Sequence, residues 1–319
     1  MTTATTTTQS DLNAPLIQDL LAAFDALNGL HAGFRPAHAK GAMVSGIFTP
    51  SAAAKALTRA PHIARTSTRV IVRFSDFAGV PTIADNDVQG GGPRGMATRF
   101  YLGEHEHTDI IAHSTDGFPA RTGEEFLGFL RAAKASGPDA PHPTPIEQFL
   151  AAHPAALAFV MTPKPIPTSF ARESFFVRSP LRFVNAAGES KFGRFRVRPA
   201  AGNEYLSPEA AAAKSANFLM DELAERLSRG PIEFRIVVQL AGAGNPVDDA
   251  TAQWPDDRPE IDVGTLSLTK LEDHNEPELR KIIFDPIPRV DGIETSNDPL
   301  LDVRAALYLL SGRRRRAAI

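Results

Sequence analysis

Apolar positions along this chain recur at two spacings. Leu16, Leu20, Phe24 and Leu27 fall on one helical stripe, with Asn13 placed to cap it, Pro15 in its first turn and Gly29 at its end. Ser51 opens a short Ala-rich helix that stops before Pro61. Strand-like runs then follow at Arg69–Ser75, Gly95–Leu102 and Asp109–His113, separated by Gly, Pro and Asp turns. Helical spacing returns over Thr122–Ala135 and Pro145–Phe159. Strands are predicted over Phe175–Asn185 and Lys191–Arg198. Ser207-Pro208-Glu209 opens a helix to Leu227, closed by Gly230. Strands at Ile232–Leu240 and Ile261–Leu271 precede a Pro-rich passage. A last helix is expected over Asp298–Leu310, before the run Arg313–Arg316.

Strands come in groups joined by short turns, with helices between the groups. That order predicts an α+β fold, an antiparallel β-barrel with surrounding helices, and not alternating βαβ units. The Thr-rich residues 1–12 read as a disordered tail, and 13–319 as a single domain with no repeat and no linker.

Composition narrows the function. Lys+Arg 34 against Asp+Glu 37 gives a net charge of -3, which excludes a strongly basic nucleic-acid binder. Without cysteine there is no disulfide, thiolate nucleophile, iron–sulfur cluster or Cys-type zinc site. The start of the chain has no basic and apolar leader pattern, and Phe149–Met161 is interrupted by His153 and Pro154. It falls short of the roughly 20 residues of a membrane span. A cytoplasmic protein without membrane or nucleic-acid partners is expected.

The common catalytic signatures are absent: no dinucleotide or phosphate loop, no nucleophile elbow, no H-E-x-x-H. Gly90-Gly91-Gly92-Pro93 reads as a turn between strands. His105-Glu106-His107 reads as a solvated loop, because neighbouring histidines on a strand would point to opposite faces. Two segments carry more. Arg35 and His38 precede a stretch of small residues running into a strand. Near the end of the chain, Arg304 and Tyr308 stand at i, i+4 on one helix face. A guanidinium held against a phenol favours the phenolate. Phenolate is a hard anionic ligand suited to ferric haem. Taken singly, each has a plain structural explanation: a packed helix face, a surface histidine, a solvated arginine run.

Together, and in order from His31 to Arg316, these segments resemble the haem catalase superfamily in its minimal, catalase-related peroxidase branch. Arg35-Pro36-Ala37-His38-Ala39-Lys40-Gly41 resembles the family's distal-histidine segment, and Val72-Arg73-Phe74-Ser75 its V-R-F-S strand. Pro93-Arg94-Gly95-Met96-Ala97 with Phe100-Tyr101, Phe183-Val184-Asn185-Ala186 with Gly188-Glu189, and Arg304-x-x-x-Tyr308 match three further motifs.

The resemblance implies haem b held by Tyr308 as tyrosinate, with Arg304 stabilising its charge. It implies that His38 carries a proton between the oxygens of a bound peroxide and that Ser75 orients it. Arg35, Arg73 and Arg315 would pair with haem carboxylates, Phe126 would pack on the macrocycle, and Phe118 would line the pocket. O–O heterolysis requires a base and then an acid, and one imidazole can be both near neutral pH.

Three departures stand out. Ala112-His113-Ser114-Thr115-Asp116 replaces an N-N-T-P stretch, putting His113 in the place of a distal asparagine, as a second proton carrier or a structural substitute. Arg196 replaces a histidine. Nothing matching the family's wrapping segment and C-terminal helical domain follows the last helix. The implied activity is reduction of hydrogen peroxide or organic hydroperoxides with oxidation of small organic donors and weak dismutation. Rearrangement of a fatty-acid hydroperoxide, as in the allene oxide synthase branch, and non-enzymatic haem carriage are the alternatives. A homodimer is the expected assembly.

Overall fold

A computed structural model describes residues 14–273 and 276–318. The predicted tail and the Asn13 cap lie outside the described residues. Among the described residues ten strands form one antiparallel sheet: β1 (Gly41–Pro50), β2 (Thr68–Ser75), β3 (Gly95–Tyr101), β4 (His107–His113), β5 (Phe175–Phe176), β6 (Leu181–Val184), β7 (Ser190–Pro199), β8 (Ile232–Leu240), β9 (Glu260–Leu271) and β10 (Ile293–Thr295). Pairing of β7 with β8 closes eight of them into a barrel in the order β7-β5-β4-β3-β2-β1-β9-β8, and β6 and β10 extend it as a flap. Closure leaves the eight strands without a free edge. Alternation along each strand fills the interior: Val72, Phe74, Met96, Phe100, Ile110 and Phe175 point inward into one buried cluster. The barrel is therefore a packed core and not a ligand chamber.

Among the described residues the helices are α1 (Pro15–Asn28), α2 (Ala54–Leu57), α3 (Pro61–Ala64), α4 (Gly123–Ala135), α5 (Pro145–Ala152), α6 (Pro154–Met161), α7 (Pro208–Ala212), α8 (Phe218–Arg229), α9 (Pro277–Arg280) and α10 (Leu300–Arg316). Helices α1, α4 and α10 share a second apolar cluster through Leu20, Phe24, Leu127, Leu130 and Leu307. This layer lies over the outer face of the barrel.

Several boundaries differ from the sequence pattern. Ile17, Leu20, Leu21 and Phe24 carry the buried face of α1, while Leu27 is 39% exposed. The pattern over Pro145–Phe159 breaks at His153, because Pro154 has no N–H to continue α5. Ser207 caps only the short α7, its hydroxyl accepting from the Ala210 N–H, and α8 begins anew at Phe218. The strand expected over Phe175–Asn185 is two short strands, β5 and β6. His107 opens β4 while His105 stays in an exposed turn, and no cluster of three metal-ligating side chains occurs among the described residues. The largest difference matters for function: α10 does not stop at Leu310 but runs through the arginine run to Arg316.

Candidate active site

A cavity of about 220 Å³ lies between the outer wall of the barrel and α10. All ten side chains singled out in the sequence line it: Arg35, His38, Arg73, Ser75, His113, Phe118, Phe126, Arg304, Tyr308 and Arg315. They come from six separate segments, so the cavity exists only in the folded chain.

The barrel wall is built by register. Gly41, Ser75, Gly95, His113 and Phe176 lie side by side on β1 to β5, and the side chains of Ser75, His113 and Phe176 face outward. Two residues along, Arg73 stands beside Ala97 and Ala97 beside Ile111. The loop before β1 lays His38 over this wall. Its backbone N–H donates to the Phe77 carbonyl at 2.7 Å, and its Nδ1 lies 3.1 Å from Ser75 Oγ. Gly95 is required by space: a Cβ there would lie 2.5 Å from Ser75 Oγ and 2.8 Å from His38 Nδ1.

The opposite wall is one face of α10. Leu300, Arg304, Leu307, Tyr308, Ser311 and Arg315 recur at three- and four-residue steps and all line the cavity. The Arg304 Nη2 and Nε donate to Tyr308 Oη at 3.3 and 3.4 Å. Because the helix continues past Leu310, Arg315 falls on this face about two turns beyond Tyr308. Arg314 points the other way and grips Asp25 of α1 with both terminal nitrogens, docking α10 on the helical layer. Phe118 and Phe126 close one flank with ring centroids 5.2 Å apart, and Ile282, Ile283 and Phe284 form the other.

Among the described residues no aspartate or glutamate lines the cavity, but five arginines do. Arg35, Arg73 and Arg315 converge at one end, and none is within ion-pair distance of a carboxylate among the described residues. Their donors go to carbonyls: Arg35 and Arg315 to Ile282, Arg315 also to Arg280, and Arg73 to Ala39. Arg315 Nε has no partner among the described residues. Burial first, and then neighbouring guanidiniums, lower all three: Arg73 and Arg315 act on Arg35, Arg315 acts on Arg73, and Arg316 and Arg280 act on Arg315, with Arg73 and Arg315 coming down to about 10. Burial and the Arg73 guanidinium also lower His38 to about 4, and burial and Arg304 lower His113 to about 3. Both imidazoles are thus neutral near pH 7.

These residues fit haem. Uncompensated buried guanidiniums call for carboxylates, the aromatic flank accommodates a flat apolar body, and a phenol beside an arginine is a hard anionic donor for iron.

Sequence reasoning missed Phe24, Phe159, Phe176, Arg178 and the 282–284 flank, all of which line the cavity. Phe24 belonged to a recognised apolar stripe, but which part of a stripe meets a cavity is set by packing. Arg196 lies outside the cavity. It is buried on β7, donating to Gln239 Oε1 at 2.7 Å and pairing with Asp116.

A closed antiparallel barrel with an external slot between a tyrosine-bearing helix and a histidine-bearing wall defines a haem-binding barrel protein. The family model for catalase matches residues 9–318. The catalase-related peroxidase of Mycolicibacterium paratuberculosis is 34% identical over 295 residues, covering 91% of this chain and 92% of that protein. The catalase-related peroxidase of Synechococcus elongatus is 31% identical, covering 93% and 87%. In structure, a fungal catalase and catalase A of Saccharomyces cerevisiae both superpose with a TM-score of 0.79 at 22% identity. The chain covers 62% and 64% of those two, less than two thirds of their length. The chain belongs to the catalase family of peroxide oxidoreductases. No helix among the described residues is long and apolar enough to cross a membrane.

Proposed function

We propose that this protein is a haem b peroxidase that reduces hydrogen peroxide or organic hydroperoxides, oxidises small organic donors and dismutates hydrogen peroxide weakly. The observation that carries the reading is the opposition, across one cavity, of the Arg304–Tyr308 pair on α10 and the His38–Ser75 pair over the barrel wall. The near full-length similarity to two catalase-related peroxidases supports the peroxidase emphasis. A cytoplasmic homodimer, one haem domain per chain, completes the proposal.

Each residue has a definite task. Tyr308 would supply a phenolate oxygen to the iron, and the Arg304 guanidinium would stabilise its charge. Arg35, Arg73 and Arg315 would take the two carboxylates of the group, which also relieves their mutual repulsion. Phe118 and Phe126 would exclude water from its edge. Bound haem would supply the redox-active iron that the polypeptide lacks.

With Nδ1 held by Ser75, His38 has Nε2 free to take the proton of an incoming hydroperoxide and to return it to the departing oxygen. The ring begins neutral near pH 7, as this cycle requires. The test is the absorption spectrum of haem-reconstituted protein beside Tyr308→Phe, followed by peroxide with and without a phenolic donor. A ferric tyrosinate spectrum lost in the variant, with donor oxidised in excess of oxygen evolved, is expected. Absence of stoichiometric haem overturns the reading, and oxygen evolution with little donor oxidation overturns the peroxidase emphasis.

A further inference from the structure

His113 sits one strand from Gly95 and two from Ser75, on the same outward row of the barrel. At Gly95, between them in the row, the Ser75 hydroxyl and the His38 ring close over the position a Cβ would take. His113 Nδ1 is buried and has no hydrogen-bond partner among the described residues. Nε2 makes no hydrogen bond to the described residues and is the nitrogen left to face the cavity, which His113 lines. Phe118 lies along the ring at a centroid distance of 6.5 Å.

The two nitrogens are not equivalent. A neutral imidazole carries one N–H and one lone pair. Placing the hydrogen on Nδ1 would bury an unpaired donor, whereas placing it on Nε2 buries only a lone pair and sends the donor into the cavity. The charged groups felt by the ring are Arg304, Arg178 and Asp116, with His38 opposite. Asp116 is engaged by Arg178 and Arg196, so cations dominate and a further positive charge on His113 is disfavoured.

We infer that His113 is a neutral hydrogen-bond donor, through Nε2, to an oxygen of the bound peroxide, and not a second base beside His38. The inference rests on the haem site proposed above. A donor fixed there holds the oxygen on which negative charge develops as the O–O bond breaks, while proton movement stays with His38. The pocket thereby divides the work between two imidazoles: one accepts and returns a proton, the other only donates a hydrogen bond.

The experiment titrates the ferric haem-loaded wild type, His113→Gln and His113→Phe with sodium fluoride at one pH, after haem stoichiometry is measured for each. Fluoride bound in the pocket is a small acceptor that reads donor strength without turnover. Glutamine retains a donor and cannot act as a base; phenylalanine keeps the ring and loses the donor. Wild type and H113Q are expected to bind fluoride alike, with H113F weaker by about tenfold or more. The pH profile of H113Q should show the same ionisations as that of wild type, whatever its absolute turnover.

Equal fluoride affinity in H113F overturns the inference, as does an ionisation that disappears from the H113Q pH profile. Wild type that takes up no haem overturns the site reading itself, and this inference with it. H113Q guards against a folding defect in H113F, since its retained affinity is a positive prediction.

Discussion

His38 reaches Ser75 with its Nδ1 3.1 Å from the hydroxyl, and it does so from a left-handed backbone, φ +56°. It is the one non-glycine residue with positive φ among the described residues. Hydrogen bonds from the His38 and Ala39 N–H groups to Phe77 and Ala78 hold this conformation. Local strain of this kind persists only where the surroundings over-determine it. Ser75→Ala removes the orienting hydroxyl and leaves the cavity otherwise intact. Peroxidase turnover is expected to fall about 10- to 100-fold with haem stoichiometry unchanged. Stopped-flow mixing with peroxide checks it, and turnover equal to wild type would sink the orienting role.

Gly95→Ala should be worse than its size suggests. The added Cβ would lie within 3 Å of both Ser75 Oγ and His38 Nδ1, on a strand that cannot move without disturbing β2 and β4. Turnover is expected to drop at least as far as in Ser75→Ala. The matching measurement is the melting temperature, which should also fall, whereas Ser75→Ala should leave it nearly unchanged.

Arg35→Gln is expected to change stability and haem affinity in opposite directions. Burial and the neighbouring Arg73 and Arg315 hold the Arg35 guanidinium well below its usual pKa, so its charge is a cost to the empty fold. Removing it should raise the apoprotein melting temperature by about 2 °C. Loss of a carboxylate partner should weaken haem binding by about tenfold. Calorimetry of the apoprotein and a haem titration test the pair. A lowered melting temperature would show that the hydrogen bond to the Ile282 carbonyl outweighs the repulsion.

A separate pH effect comes from His62, inside the barrel cluster and away from the cavity. Its ring lies 4.9 Å from that of Phe100 and 5.9 Å from that of Phe48, and burial, with Arg65 nearby, lowers it to about 4. An unfolded histidine titrates near 6.5. Between these values the unfolded chain binds the extra proton, so stability is full above about 6.5 and is lost as pH falls towards about 4. The contribution is about 3 kcal/mol across that window. His62→Phe should remove it. Thermal melts of both apoproteins at pH 7 and pH 5 should show the smaller acid shift in the variant; equal shifts would refute the assignment. His38 and His113 add slopes of the same sign, but equally in both proteins.

By itself the sequence determined the kinds of element and most of their limits. Ile232–Leu240 and Gly123–Ala135 announce themselves through periodicity. It also indicated the chemistry on offer, because the ordered motifs around His38 and Tyr308 resemble those of the haem catalases, although each taken singly has a plain structural explanation. Sequence pattern could not decide where a helix yields to charge. Four successive arginines read as a solvated end, yet Arg314 pairs with Asp25, Arg315 turns into the cavity and Arg316 donates to the Lys281 carbonyl. Partners from distant segments made that extension of α10 favourable. Only the tertiary structure decided that the site lies outside the barrel, because alternation says that a strand has two faces but not what covers the outer one. The same holds for the row of Ser75, Gly95 and His113: register between strands is a long-range property, and it alone puts the two histidines on one wall.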